Sequence, residues 1–215
     1  DESDEDEDHE SDEPDATGSR STGMRRLRNT ATGLTVEEED NVMSIGMESM
    51  NRTLHLTLKV PRLTSLDLNT VNDGDITVDG VEGEIEVNNT NGAVTLTNVS
   101  GSVVAHALNE DLIVRFIKID PKRSMSFSSM NGNIDVTLPA DTRAKLWVKA
   151  DNGEVFTDFD VQMDRRTPRV EETKEKVKGK KYRVRVDSSI TGTLNGGGPE
   201  FRFETFNGNV YIRKK

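Results

Sequence analysis

The chain has 215 residues, 32% of them hydrophobic and 5% aromatic, no cysteine, and a formal net charge of −11. That composition excludes disulfides, thiolate metal sites and a cysteine nucleophile, and no apolar run approaches the roughly 20 residues a membrane helix needs. The charge is concentrated at one end. Asp1 to Asp15 carry 11 of the 39 acidic side chains and no Lys or Arg, which leaves 28 acidic against 28 basic residues in 16–215.

Residues 1–23 are acidic and then rich in Gly, Ser and Thr. Such a run buries too little apolar surface to offset its ordering entropy, so it is expected to be a disordered tail. The chain begins at Asp1 rather than Met and shows no secretory signal, so a processed or trimmed start is expected. The remainder, 24–215, reads as one domain. Leu34 and Val36, a turn at Glu39-Asp40-Asn41, and Val42 to Ile45 predict a β-hairpin. Leu54, Leu56, Leu58 and Val60 then alternate with Thr53, His55, Thr57 and Lys59, which predicts a half-buried strand ended by Pro61. Leu66 and Leu68 start another.

From there the chain becomes periodic. Gly74, Gly83, Gly92 and Gly101 stand nine residues apart, and behind each come inward, outward, inward positions such as Ile76-Thr77-Val78 and Ile85-Glu86-Val87. A register without glycine follows at Glu110, with Leu112-Ile113-Val114. Period two nested in period nine marks a coiled β-solenoid. The residues two before the glycines alternate (Asn72, Val81, Thr90, Val99), so the unit is one 18-residue coil with two unlike corners. Glycine is expected at the corners for its tolerance of positive φ, with Asn-Gly at 91–92, 131–132, 152–153 and 207–208 repeating that chemistry.

After residue 110 the spacing stretches: Gly132 lies 22 residues past Glu110 and Gly153 lies 21 past Gly132. The alternation persists in Met125/Phe127, Ile134/Val136/Leu138 and Leu146/Val148, and the last coil is marked by Phe201/Phe203 and Val210/Ile212. The predicted fold is therefore all-β. It is a single parallel β-helix or β-solenoid with coils of 18–22 residues, preceded by the hairpin and the acidic tail. Regular coils span 64–160, a basic insert 165–181, and C-terminal strands 182–213. Arg165 to Arg185 holds ten Lys/Arg and three Glu, and is read as a basic loop followed by a strand that blunts the open edge of the stack.

No constellation converges on chemistry. Single glycines at Asp73-Gly74-Asp75 and Glu82-Gly83-Glu84 lack the tandem glycine and in-register Asp of calcium β-rolls. Asp158, Asp160 and Asp164, and the set Asp75, Glu84 and Glu86, read as solvated outer faces rather than paired catalytic carboxylates. His9, His55 and His106 are isolated, and Gly196-Gly197-Gly198 precedes Pro199-Glu200 instead of a phosphate loop's Lys. Trp147 suits either stacking on a sugar or cover by a neighbouring segment. Thr77 and Thr95 point outward, but Ile113 breaks the row. No catalytic, metal or cofactor residue is assigned, and nucleic acid is not expected, because the basic segment is poor in aromatics and the rest of the domain is neutral.

The runs Asn72-Asp73-Gly74-Asp75-Ile76-Thr77-Val78 and Val81-Glu82-Gly83-Glu84-Ile85-Glu86-Val87-Asn88-Asn89-Thr90-Asn91-Gly92 resemble the bacterial putative-adhesin family of β-strand-repeat proteins, a domain of unknown function. Met130-Asn131-Gly132-Asn133-Ile134-Asp135-Val136 and Asp151-Asn152-Gly153-Glu154-Val155 are similar to its middle section, and Thr205-Phe206-Asn207-Gly208-Asn209-Val210-Tyr211-Ile212 to its end. The resemblance spans about 34–213 and implies a β-helix-like fold in a bacterial envelope or secreted protein. With it comes the expectation of a non-catalytic binding protein that meets an unknown protein or glycan through its outer faces. An envelope scaffold or regulatory sensor, in which the tail and basic insert control assembly, is the alternative; a carbohydrate-active enzyme ranks below both.

Overall fold

The computed structural model describes residues 33–47, 55–72, 74–164, 170–172, 184–186 and 189–215. The acidic tail and most of the basic insert therefore lie outside the described residues. Two compact units divide at His55 and Leu56. In the first, β1 (Leu34–Glu39) and β2 (Val42–Met47) form the expected antiparallel hairpin. Asp40 and Asn41 close it with φ of 52° and 63°, the doubly positive backbone that matches strand twist in a two-residue turn.

The second unit is all-β, with no helix among its described residues. It begins with β3 (Leu66–Thr70), β4 (Ile76–Asp79), β5 (Glu82–Asn89), the long β6 (Val94–Ala107) and β7 (Leu112–Ile119). Then come β8 (Met125–Ser129), β9 (Ile134–Leu138), β10 (Ala144–Ala150), β11 (Val155–Thr157) and β12 (Val161–Met163). A separate antiparallel pair, β13 (Val170–Glu172) and β14 (Val184–Val186), precedes β15 (Ile190–Leu194), β16 (Glu200–Thr205) and β17 (Val210–Lys214).

Pairing confirms the 18-residue unit. Ile76 pairs with Val94, and Ile85 with Val103, in parallel register. The strands thus stack in two rows. One runs β3, β5, the second half of β6, β8, β16, β10; the other runs β4, the first half of β6, β7, β9, β17, β11. Inward residues from both rows fill a thin core, in which Val87, Leu96, Val114, Phe127, Ile134 and Phe203 are fully buried. Ala105 sits opposite Phe127, a small residue beside a large one, and Phe127 stacks on Phe203 with ring centroids 5.1 Å apart. The two corners are unlike, as the alternation implied: Val81 and Val99 are core, whereas Asn72 and Thr90 reach the surface.

Four expectations are corrected. First, the sheet is mixed: β15 pairs β10 antiparallel and β12 pairs β15 antiparallel, so the chain is not a strictly parallel β-helix. These reversed strands cover an edge that another parallel coil would have left open. Second, stacking order departs from chain order. The C-terminal β16 and β17 do not end the stack but lie between β8/β9 and β10/β11. Third, residues 55–60 form no strand, and Leu56, Leu58 and Val60 are exposed; alternation alone makes no strand where no described segment pairs with it. Leu54 lies outside the described residues.

Fourth, positive φ is not what most corner glycines supply. Gly101 has φ of 109°, but Gly74, Gly83, Gly92, Gly132, Gly153 and Gly208 do not lie in the left-handed region. Gly92 is required by close approach instead, because a Cβ there would lie under 3.0 Å from the carbonyl oxygen of Gly74 in the coil beneath. The same obstruction recurs for Gly132 over Glu110, Gly208 over Gly132 and Gly153 over Gly208. This one row of contacts crosses the break in chain order.

Candidate functional site

Corner polar residues are mostly consumed by the architecture. Asn109 Nδ2 donates to Asn91 Oδ1 at 2.7 Å, Asn131 to Asn109 at 2.9 Å, Asn207 to Asn131 at 2.9 Å and Asn152 to Asn207 at 3.0 Å. Beside this ladder, side-chain oxygens cap backbone amides of the next coil: Asp75 accepts from Ala93 N at 2.9 Å, and Asn209 from Glu154 N at 2.9 Å. Buried Asn89 accepts from Gly92 N at 3.1 Å and donates to Gly74 O at 2.7 Å, with Ser129 and Thr205 in equivalent places. Each bond satisfies a group that would otherwise be stranded at a tight bend.

The candidate carboxylates do not converge. Asp158 and Asp164 are exposed, and Asp160 lines a shallow polar recess of about 410 Å³ with Gln162, Thr193 and Asn195. Glu84 pairs with Arg123, and Glu86 faces solvent. The marked electrostatic effects are structural. Hydrogen bonds from Asn98 and Thr97 hold the Asp79 carboxyl below its ordinary range. Asp135, bonded to Arg213 Nε at 2.9 and 3.0 Å, raises that guanidinium's affinity for its proton. No cluster of three His, Asp or Glu able to hold a metal occurs among the described residues. His55 is exposed, His106 Nδ1 contacts Ser128 Oγ, and His9 lies outside the described residues. Trp147 is covered by a neighbour, with the Arg202 guanidinium 3.8 Å above its ring. Gly196 and Gly197, both at φ 85°, turn the chain from β15 toward β16.

What the sequence reading missed is a groove along one corner. Its floor is the buried row Asn89, Ala107, Ser129 and Thr205. One wall is polar, from Asn88, His106, Ser128 and Glu204; these positions pair in register across β5, β6, β8 and β16. The other wall carries Leu108, Met130 and Phe206, exposed at 43%, 47% and 47%. The space holds about 570 Å³, within the range of small-ligand sites. Asp151 closes one end, tied by Lys149 Nζ at 2.9 Å, and Lys149 also stands 3.9 Å from Glu204. A signal did exist: each of the three apolar residues immediately precedes an asparagine of the ladder (Asn109, Asn131, Asn207).

A family model described as Toastrack DUF4097 matches residues 55–190, more than half of the chain. The chain belongs to this family. The Toastrack match begins beside Leu56, where the second compact unit starts, and ends in β15. Among solved structures, the chain is similar to a putative cell adhesion protein from Clostridium sporogenes, at 12% identity and a TM-score of 0.46, covering 85% of this chain and 76% of that one. No curated protein matches this Toastrack chain. Among the described residues, no helix is long and apolar enough to cross a membrane.

Proposed function

We propose that this Toastrack chain is a non-catalytic binding module of the cell envelope or the extracellular space, which contacts a protein or glycan through its outer faces. The observation that carries this reading is the corner groove, where four successive strands present a polar row and three of them are followed by an apolar residue in a parallel row. Stacked coils repeat such rows at about 4.8 Å, which suits recognition spread over many modest contacts. Among the described residues, the carboxylates that a hydrolase would draw on include exposed Asp158, Asp160 and Asp164, while Glu84, Asp135, Asp151 and Glu204 are each engaged with a cation.

The test is binding of the labelled full chain to intact bacterial cells and envelope fractions, run beside assays for release of reducing sugars from polysaccharides. Saturable binding without turnover supports a binding module. Turnover that disappears in Asp158→Asn or Asp160→Asn would replace it with an enzyme.

A further inference from the structure

The groove's chemistry is more specific than a generic contact surface. Four features bear on what fits it, beginning with its backbone. The strands along it, β5, β6, β8, β16 and β10, are each paired on both sides. No free N–H and C=O row is left to receive an added peptide strand, so recognition there falls to side chains. Second, only one wall is apolar, whereas an amphipathic helix needs a groove that covers its whole apolar face. Third, the charges do not suit a polyanion. Asp151 and Glu204 line the groove, and the cations beside them are already engaged, Lys149 with Asp151 at 2.9 Å and Arg202 with Glu204 at 2.8 Å. Nucleic acids and acidic polymers would meet carboxylates with no spare cation opposite.

Fourth, the remaining lining alternates two complementary functions. Asn88, His106 and Ser128 supply amide, imidazole and hydroxyl groups that donate and accept hydrogen bonds, and the Glu204 carboxylate accepts them. Asn88 Nδ2 is engaged by Asn69, His106 Nδ1 by Ser128 and Glu204 in part by Arg202, which leaves their remaining donor and acceptor positions for a ligand. Across the floor, the Phe206 ring stands half exposed on a ledge with Met130 and Leu108. A ligand that satisfies both walls carries hydroxyls along its rim and an apolar face, and bears no net charge. From β5 to β10 the groove crosses four strand spacings, about 19 Å, longer than one sugar ring.

We propose that this groove binds a neutral oligosaccharide, with one ring lying on Phe206 and the hydroxyls meeting the row Asn88, His106, Ser128 and Glu204. The proposal rests on the binding reading above and narrows it to one corner and one ligand class. Phe206 is the anchor, since it offers the largest rigid apolar surface in the groove.

The experiment applies the full chain to a printed array of neutral, sialylated and sulfated oligosaccharides, then titrates the strongest neutral binder by calorimetry. Variants are Phe206→Ala and Leu108→Ser in the groove, and Phe156→Ala on β11 as a control. All three side chains are about half exposed, so thermal unfolding of the groove variants should be little changed, while Phe156→Ala also gives up a ring stack on Tyr211 and should unfold slightly earlier. Neutral glycans are expected to bind. Phe206→Ala should weaken them by about tenfold or more, Leu108→Ser by less, and Phe156→Ala not at all. Signals restricted to anionic glycans would overturn the proposal, as would affinity that survives Phe206→Ala or falls equally with Phe156→Ala. Wild-type protein that binds cells but no neutral glycan overturns the groove assignment and leaves the broader binding reading standing; loss of cell binding as well removes both.

Discussion

In the first three coils, from β3 to β7, the order of strands along the chain is also their order in the stack; in the last three it is not. After a first step of 19 residues from β3 to β5 the early coils repeat at 18, and they fill their core with branched aliphatics such as Ile85, Val87, Val94 and Leu96. The later ones add to aliphatics such as Ile134 and Val136 a phenylalanine stack, Phe127 on β8 against Phe203 on β16, with Phe116 of β7 at its edge, and they assemble from segments that lie far apart in the chain. The same two rows of strands and the same asparagine ladder run through both regions. A corner built from glycine and asparagine accepts any coil of matching pattern, so the stack is indifferent to which part of the chain supplies it.

The largest effect that would sharpen this contrast is expected at Phe203. Phe203→Ala leaves a cavity between β8 and β10 and should cost about 3–5 kcal/mol in chemical denaturation. Hydrogen exchange should rise first in 134–138 and 144–157, with 85–97 still protected; uniform loss across the stack would mean that the two regions do not differ. Next come the glycines. Gly92→Val and Gly208→Val place side chains against backbone of the coil beneath, one in each region, and each should cost about 3 kcal/mol. Gly80→Ala, at φ 72° with open space around it, should cost only about 1 kcal/mol. Equal losses at all three would show that backbone conformation, not crowding, governs the corners.

The smallest effect concerns Asp79 in the first coil. Its folded-state pKa is lowered by Asn98 and Thr97, so its contribution is present above the unfolded carboxylate range and lost as pH falls through the folded value. Asp79→Asn should therefore melt slightly below the native chain at neutral pH, and the gap should close in acid. A gap that widens on acidification would reverse the sign of this interaction.

The periodic region was legible because each coil's inward residues and its corner sit at fixed short spacings. Ile76 and Val94, or Asn91 and Asn109, are found by counting. The C-terminal insertion was not, because Thr205-Phe206-Asn207-Gly208 fits equally well after β9 or after β11; only pairing between distant segments decides it. Residues 55–60 show the reverse failure, an alternation without a partner strand. Tolerance of positive φ and close backbone approach both select glycine, so the sequence could not separate them at Gly92. The groove escaped notice because Leu108, Met130 and Phe206 are dispersed over almost 100 positions and become neighbours only when the coils stack.

The interior berth of β16 and β17 bears on how the polypeptide is made. A ribosome releases these residues after 144–157, yet that earlier segment rests on them. During synthesis the earlier coils can settle as they emerge, whereas that segment, with its inward Leu146 and Val148, must wait for 200–214 to follow it. Vectorial assembly thus gives way to a later insertion step, and residues 200–214 decide whether the stack closes.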